Sequence, residues 1–228
     1  MFYIIRKLRI LYHLHKNKKF WQKYYSSHRK PSSQSLFAEF CLENYIKKGD
    51  WVLELGCGNG RDAVFFASNG INVLGLDLCR QEISYLSRNY KNKKHSSTSN
   101  KLRFKCADFT RYKSRQKFDV IYSRFTIHSI SEAQEIDTIK NSYINLKEGG
   151  IFLIEVRSMK DEMFSKSEKL SSNEGITDHY RRFIELETIS SNLKKNNFDI
   201  VFSIESQGLA KYKYENPYII RIVARKFL

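Results

Sequence analysis

The chain has 228 residues and a mass of 27.0 kDa, is 41% apolar, 14% aromatic and 28% charged, and carries a formal charge of +16. That size suits one large domain, or one with an annex, and the composition excludes disordered, collagen-like and coiled-coil classes. Charges interrupt every hydrophobic run, so no stretch approaches the roughly 20 apolar residues of a membrane-spanning helix.

In chain order, Phe2 to Tyr25 is dense in Leu, Ile, Lys and aromatics with no breaker and is read as a helix. Nine basic residues precede the first acid, Glu39: Arg6, Lys7, Arg9, Lys16, Lys18, Lys19, Lys23, Arg29 and Lys30. Phe2, Ile5, Leu8, Tyr12 and His15 fall on one stripe with Ile4 and Leu11 beside it. Residues 1–19 are therefore expected either to rest on an anionic membrane surface or to pack on the fold. Pro31-Ser32-Ser33 ends this basic helical segment, which divides the chain into residues 1–34 and a main domain over 35–228. Ser35 is placed to cap a helix through Phe37, Phe40 and Tyr45.

From Trp51 the pattern alternates. Strands are expected at Trp51–Leu55, Asn72–Leu76, Leu102–Cys106, Phe118–Tyr122 and Ile151–Val156, and helices at Arg61–Ser68, Gln81–Tyr90 and Ile136–Leu146, the last ending at Gly149-Gly150. Lys91–Asn100 reads as a polar loop. Asp199–Glu205 and Tyr218–Ala224 complete a hairpin. The expected fold is α/β, a Rossmann-like doubly wound sheet of seven strands, mostly parallel with an antiparallel C-terminal hairpin.

The chemistry concentrates in Val52-Leu53-Glu54-Leu55-Gly56-Cys57-Gly58-Asn59-Gly60-Arg61-Asp62. Glycines at a strand-to-helix turn let a ligand approach backbone that a Cβ would block. Asp77 follows the second strand, where a carboxylate can take both ribose hydroxyls, and Asp108 follows the third, where an acid can meet an adenine edge.

In order and spacing these residues resemble the class I S-adenosylmethionine-dependent methyltransferases over roughly Trp51 to Val156. The resemblance makes 35–228 the methyltransferase domain and S-adenosylmethionine the cofactor. It makes Glu54, Gly56, Gly58 and Gly60 the methionine-side motif, Asp77 the ribose ligand, and Asp108 with Phe109 the adenine site; Cys57, Leu78 and Ser123 count among the cofactor contacts. A dinucleotide turn reads GxGxxG, whereas here GxGxG follows an acidic residue, which favours the methyl donor over NAD.

Tyr122 to His128, Glu155-Val156-Arg157-Ser158 and Asp178-His179-Tyr180-Arg181-Arg182-Phe183 look like methyltransferases of capsule and lipopolysaccharide assembly, and extend toward the tellurite-resistance type of small-molecule methyltransferases. That implies O-methylation of a sugar or phosphate-type acceptor in surface-polysaccharide synthesis. Ser123-Arg124-Phe125-Thr126 stands where base N-methylation uses an Asp/Asn-Pro-Pro-Tyr/Phe stretch, and no proline adjoins Cys41, Cys57, Cys79 or Cys106. Arg124, Arg157, Arg181 and Arg182 are candidates for holding an anionic acceptor, with Tyr25 and Tyr180 beside them. A neutral hydroxyl would need a base, for which His128 comes first and His179 second. No acidic pair adjoins either histidine at ligand spacing, so no metal is expected. The alternatives are an RNA methyltransferase, drawn from the positive charge, and a cofactor-binding assembly factor without turnover; nucleic acid ranks below a small-molecule or glycan partner. The cysteines form no CxxC pair and read as buried free thiols of a reducing compartment, hence a cytoplasmic protein at most peripheral to the membrane.

Overall fold

The computed structural model describes residues 2–90 and 101–227. The polar loop expected over 91–100, and the side chains of Phe2, Ile4, Ile5, Leu8 and Leu11, lie outside the described residues. Helix α1 (Phe2–Ser27) is followed by α2 (Leu36–Asn44), β1 (Trp51–Leu55), α3 (Arg61–Ser68), β2 (Asn72–Asp77), α4 (Arg80–Tyr90), β3 (Leu102–Cys106), β4 (Phe118–Arg124), α5 (Glu132–Asn145) and β5 (Leu146–Arg157). Then come α6 (Glu162–Lys166), β6 (Glu168–Lys169), β7 (Glu174–Ile176), β8 (Tyr180–Arg182), α7 (Leu186–Lys195), β9 (Phe198–Ser206) and β10 (Ile219–Lys226).

The main sheet has seven strands in the order β3-β2-β1-β4-β5-β10-β9, and β10 runs antiparallel to both its neighbours. Alternation of side chains across the central strands builds a core on each face. Leu53, Ile121, Phe152 and Ile154 pack on one side with Ile139, Ile189 and Leu193 of α5 and α7. Val52, Val73, Val120 and Leu153 pack on the other with Phe37, Ala63 and Phe66 of α2 and α3. The chain passes from β1 to β2 and β3 on one side and to β4 on the other, so a crevice opens where the carboxyl ends of β1 and β4 diverge.

Three features depart from the sequence reading. Helix α5 starts four residues earlier than expected, because Ser131 and Gln134 form a capping box, and it stops at Asn145. Strand β5 then begins at Leu146, ahead of Gly149-Gly150, with Leu146 opposite Phe118 and a register shift before Val120. A three-stranded sheet, β6-β7-β8, fills a stretch that carries no periodic signal because each strand has only two or three residues. Helix α1 packs on the fold: the Asn17 side chain accepts the Tyr180 main-chain N–H at 3.1 Å and donates to the Tyr180 carbonyl at 3.2 Å. Asn17 is thus buried against the fold, whereas Tyr12 and His15, the described residues of the predicted stripe, are exposed.

Candidate active site

The turn after β1 holds Gly56, Gly58 and Gly60 at φ of 68°, 52° and 75°, a region that L side chains rarely adopt. Its surroundings are equally restrictive. A Cβ at Gly56 would stand 2.3 Å from Thr126 Cγ2, and one at Gly58 would stand 2.3 Å from the Tyr25 hydroxyl oxygen. The turn thus lies between the exit of β4 and helix α1, with the N-terminus of α3 and its positive dipole end directly behind it.

Three carboxylates surround it. Glu54 is buried in β1, where burial and the neighbouring charge of Asp62 hold its carboxyl well above the usual range; Oε2 has no hydrogen-bond partner among the described residues. Asp77, at the end of β2, accepts the Gly58 N–H at 3.0 Å through Oδ2 and the Cys79 N–H at 2.8 Å through Oδ1. Those two bonds lock the carboxylate in place and leave it lone pairs for a pair of hydroxyls. Asp108 uses Oδ1 for the Thr110 main-chain N–H and hydroxyl, so Oδ2 remains for an adenine edge. An unsatisfied buried acid, bare glycine backbone at a helix N-terminus and an oriented carboxylate after β2 fit the amine, carboxylate and ribose of S-adenosylmethionine.

Leu78 follows directly and is exposed, Cys57 is buried with its N–H on the Leu76 carbonyl, and Phe109 lies against the Gly56 side of the turn. Ser123 is fully buried and shares a hydrogen bond with Thr126, 2.5 Å oxygen to oxygen, which anchors the wall opposite Gly56.

The residues that the sequence reading assigns to an acceptor begin where β4 ends. Phe125 takes φ 56°, a strained value for a residue with a side chain, and its N–H bonds the Glu155 carbonyl at 2.8 Å. Its ring lies 4.3 Å from the Arg124 guanidinium, 5.8 Å from that of Arg157 and 5.3 Å from the His128 ring. Arg157 bonds Asp161 at 3.0 Å and Glu215 at 2.8 Å. Arg124 lies 2.9 Å from Glu155 Oε1, but the geometry makes no hydrogen bond, and Glu155 is held instead by Arg221. His128 is buried, accepts the Arg157 main-chain N–H through Nδ1 at 3.4 Å, and is kept neutral by burial and by the nearby guanidinium of Arg181. His179 stands beside it, covered by Phe20 and Trp21 of α1.

The structure separates some of the residues that the sequence grouped. Arg181 and Arg182 lie on strand β8, so consecutive side chains point to opposite faces. Arg181 bonds Asp178 at 2.6 Å near the two histidines, whereas Arg182 turns inward to a buried ion pair with Glu135. Tyr180 is also structural: its hydroxyl bonds Glu174 at 2.6 Å within the small sheet. Tyr25 stands over the glycine turn beside Asp77, on the cofactor side.

Sequence reasoning missed Asp62. Its buried carboxylate accepts the Ser35 N–H and hydroxyl and the Tyr122 hydroxyl, each at 2.8 Å, tying α2, α3 and β4 together beneath Glu54. The available signal was its place two residues after the last glycine of the turn.

Residues 52–150 match the family described as a methyltransferase domain. The chain is 33% identical over 118 residues to a phosphoethanolamine N-methyltransferase of Triticum aestivum, covering 51% of this chain and 22% of the relative. It is 29% identical over 140 residues to a malonyl-[acyl-carrier protein] O-methyltransferase of Ilyobacter polytropus, covering 60% of this chain and 51% of the relative. The chain thus spans about half the length of one relative and about a fifth of the other. A solved SAM-dependent methyltransferase from Methanosarcina mazei superposes with a TM-score of 0.71 at 17% identity, covering 82% of this chain and 97% of that one. The glycine turn, its flanking carboxylates and the sheet order thus meet in one description: residues 52–150 match a methyltransferase-domain family, and the chain has the fold of a solved S-adenosylmethionine-dependent methyltransferase.

Proposed function

We propose that the protein transfers the methyl group of S-adenosylmethionine to an anionic oxygen of a small-molecule or glycan acceptor. One observation carries this reading: the guanidinium groups of Arg124 and Arg157 lie 4.3 and 5.8 Å from the Phe125 ring, which stands beside His128 at the end of β4, next to the cradle that fits the cofactor. Methyl transfer is an in-line displacement, so the protein's work is to bring the acceptor atom onto the sulfonium methyl and hold it there. When bound, the cofactor supplies an electrophilic methyl. Guanidinium groups supply planar paired donors for a carboxylate or phosphate and would repel an ammonium. The resemblance of residues 122–128, 155–158 and 178–183 to enzymes of capsule and lipopolysaccharide assembly extends the proposal to acceptors of surface-polysaccharide synthesis. A second reading, N-methylation of a phosphate-bearing amine, is favoured by the similarity to a phosphoethanolamine N-methyltransferase.

The test combines cofactor binding with label transfer. Calorimetry should show S-adenosylmethionine binding that Asp77→Ala weakens by about 1.5–3 kcal/mol, the range for hydrogen bonds to a charged group. With methyl-labelled cofactor, label should pass to anionic sugars or small acids. Transfer to phosphoethanolamine would favour the second reading, and unchanged affinity in folded Asp77→Ala would remove the cofactor assignment.

A further inference from the structure

Methylating a neutral hydroxyl requires a group that takes its proton, and that group must present a free lone pair at the acceptor. The two imidazoles at the mouth of the site do not qualify. A neutral imidazole has one acceptor nitrogen, and in His128 that nitrogen, Nδ1, is directed at the Arg157 main-chain N–H at 3.4 Å. Nε2 therefore carries the hydrogen and acts as a donor. The charged and titratable groups facing His128 are Arg181, Arg157, His179 and Arg124, so none of them favours adding a proton.

His179 is 6% exposed, its ring centroid 4.3 Å from that of Phe20 and 4.8 Å from that of Trp21. Neither ring nitrogen makes a hydrogen bond among the described residues; Nδ1 lies 3.1 Å from Asp178 Oδ1 but out of line. Burial, then Arg181, with Arg157 adding to it, push its pKa down to about 4 against the pull of Asp178. The nearby carboxylates each face a guanidinium: Asp178 that of Arg181, Asp161 and Glu215 that of Arg157, and Glu155 that of Arg221 through Oε2, with Oε1 2.9 Å from Arg124. Glu54, Glu82 and Glu155 are the buried acids with an unpartnered oxygen among the described residues; Glu54 and Glu82 both sense Asp77 and belong to the cofactor side, and Glu155 is fully buried between the guanidinium groups of Arg124 and Arg221.

The fixed charges also limit the acceptor. Arg124, Arg157, Arg181 and Arg221 face Glu155, Asp161, Asp178 and Glu215, a balanced set that suits one added negative charge better than a phosphate dianion. Arg124, whose Nε faces Glu155 Oε1 at 2.9 Å, has its terminal N–H groups left for a planar two-oxygen partner.

We propose that the acceptor oxygen reaches this site already ionised, as a carboxylate, and leaves as a methyl ester. This rests on the reading of the protein as an S-adenosylmethionine-dependent O-methyltransferase. A lone pair of the carboxylate oxygen forms the new O–CH3 bond while the S–CH3 bond breaks and its electron pair stays on sulfur. An anion and a sulfonium become a neutral ester and a neutral thioether, and no proton is moved. Arg124 holds the carboxylate, and the His128 Nε2–H donates to its second oxygen.

The experiment uses the full chain with methyl-tritiated S-adenosylmethionine, a bacterial metabolite extract, and a panel of uronic acids with their neutral parent sugars and sugar phosphates. Products are treated with mild alkali, which releases an ester methyl as volatile methanol and leaves ethers, N-methyl groups and methyl phosphodiesters intact. The expected result is alkali-volatile label, confined to carboxylates, at a rate that stays flat between about pH 6 and 9 because no base titrates. His128→Gln, which preserves an N–H donor, should retain far more activity than His128→Ala. Alkali-stable label on hydroxyl compounds, with a rate rising about tenfold per pH unit, would overturn the ester and leave the methyltransferase reading standing. No label on any carboxylate while calorimetry shows the cofactor bound would likewise overturn it. No cofactor binding at all would overturn the underlying reading itself.

Discussion

Replacing Gly58 by alanine tests the placement of α1 over the cofactor turn. The new Cβ would lie 2.3, 2.6 and 2.9 Å from Oη, Cζ and Cε1 of Tyr25, on a backbone at φ 52°. The left-handed conformation costs a residue with a side chain roughly 1–2 kcal/mol wherever its neighbours are. Displacing the Tyr25 ring adds an overpacking term of about 1–3 kcal/mol. Gly58→Ala should therefore destabilise the native protein by about 2–5 kcal/mol, but by only about 1–2 kcal/mol where Tyr25 is already alanine, since the strain then remains alone. Urea unfolding of the four proteins in this cycle gives the coupling directly, read from midpoints at unchanged slope. Additivity within about 0.5 kcal/mol would refute the reasoning, because it would mean that the Tyr25 ring does not rest on Gly58.

Glu135→Ala should destabilise the protein by about 3–5 kcal/mol, because it strands Arg182 as a buried unpaired charge, with side chains of the pair 3% and 1% exposed. Thermal unfolding measures this, and adding Arg182→Met should recover most of the loss. The depressed pKa of His179 gives a pH signature. Above about pH 6.5 the ring is neutral in both folded and unfolded chains, so its contribution is complete. As pH falls from about 6.5 toward 4, the unfolded chain takes the proton and the native one does not, so stability is lost. Urea midpoints at pH 7 and 5 should fall less for His179→Phe than for the wild type, and parallel losses would count against the assignment.

Much of the cofactor half was legible in the chain itself. A strand, three closely spaced glycines and a helix follow one another within Trp51–Ser68, and each glycine answers a local need for positive φ. The Ser35 cap on α2 and the edges of β1, α3 and β3 are similarly local and fall where the spacing predicts. Helix α7 went unread, although Leu186, Ile189 and Leu193 stand at helical spacing, because it lies among strands too short to show a period.

The proposed acceptor half depended on tertiary structure. Tyr180 meets Asn17 across 163 positions, Arg157 meets Glu215 across 58, and Arg182 meets Glu135 across 47. No spacing rule links such pairs, so adjacent arginines looked equivalent until strand β8 sent one outward to Asp178 and the other into the core. The tautomer of His128 was likewise decided by a main-chain N–H that another strand brings to it. The sequence by itself determined the cofactor motif because backbone conformation there is set by residues next to one another. Which side chains face an acceptor was decided only when packing brought separate segments to the same edge of the sheet.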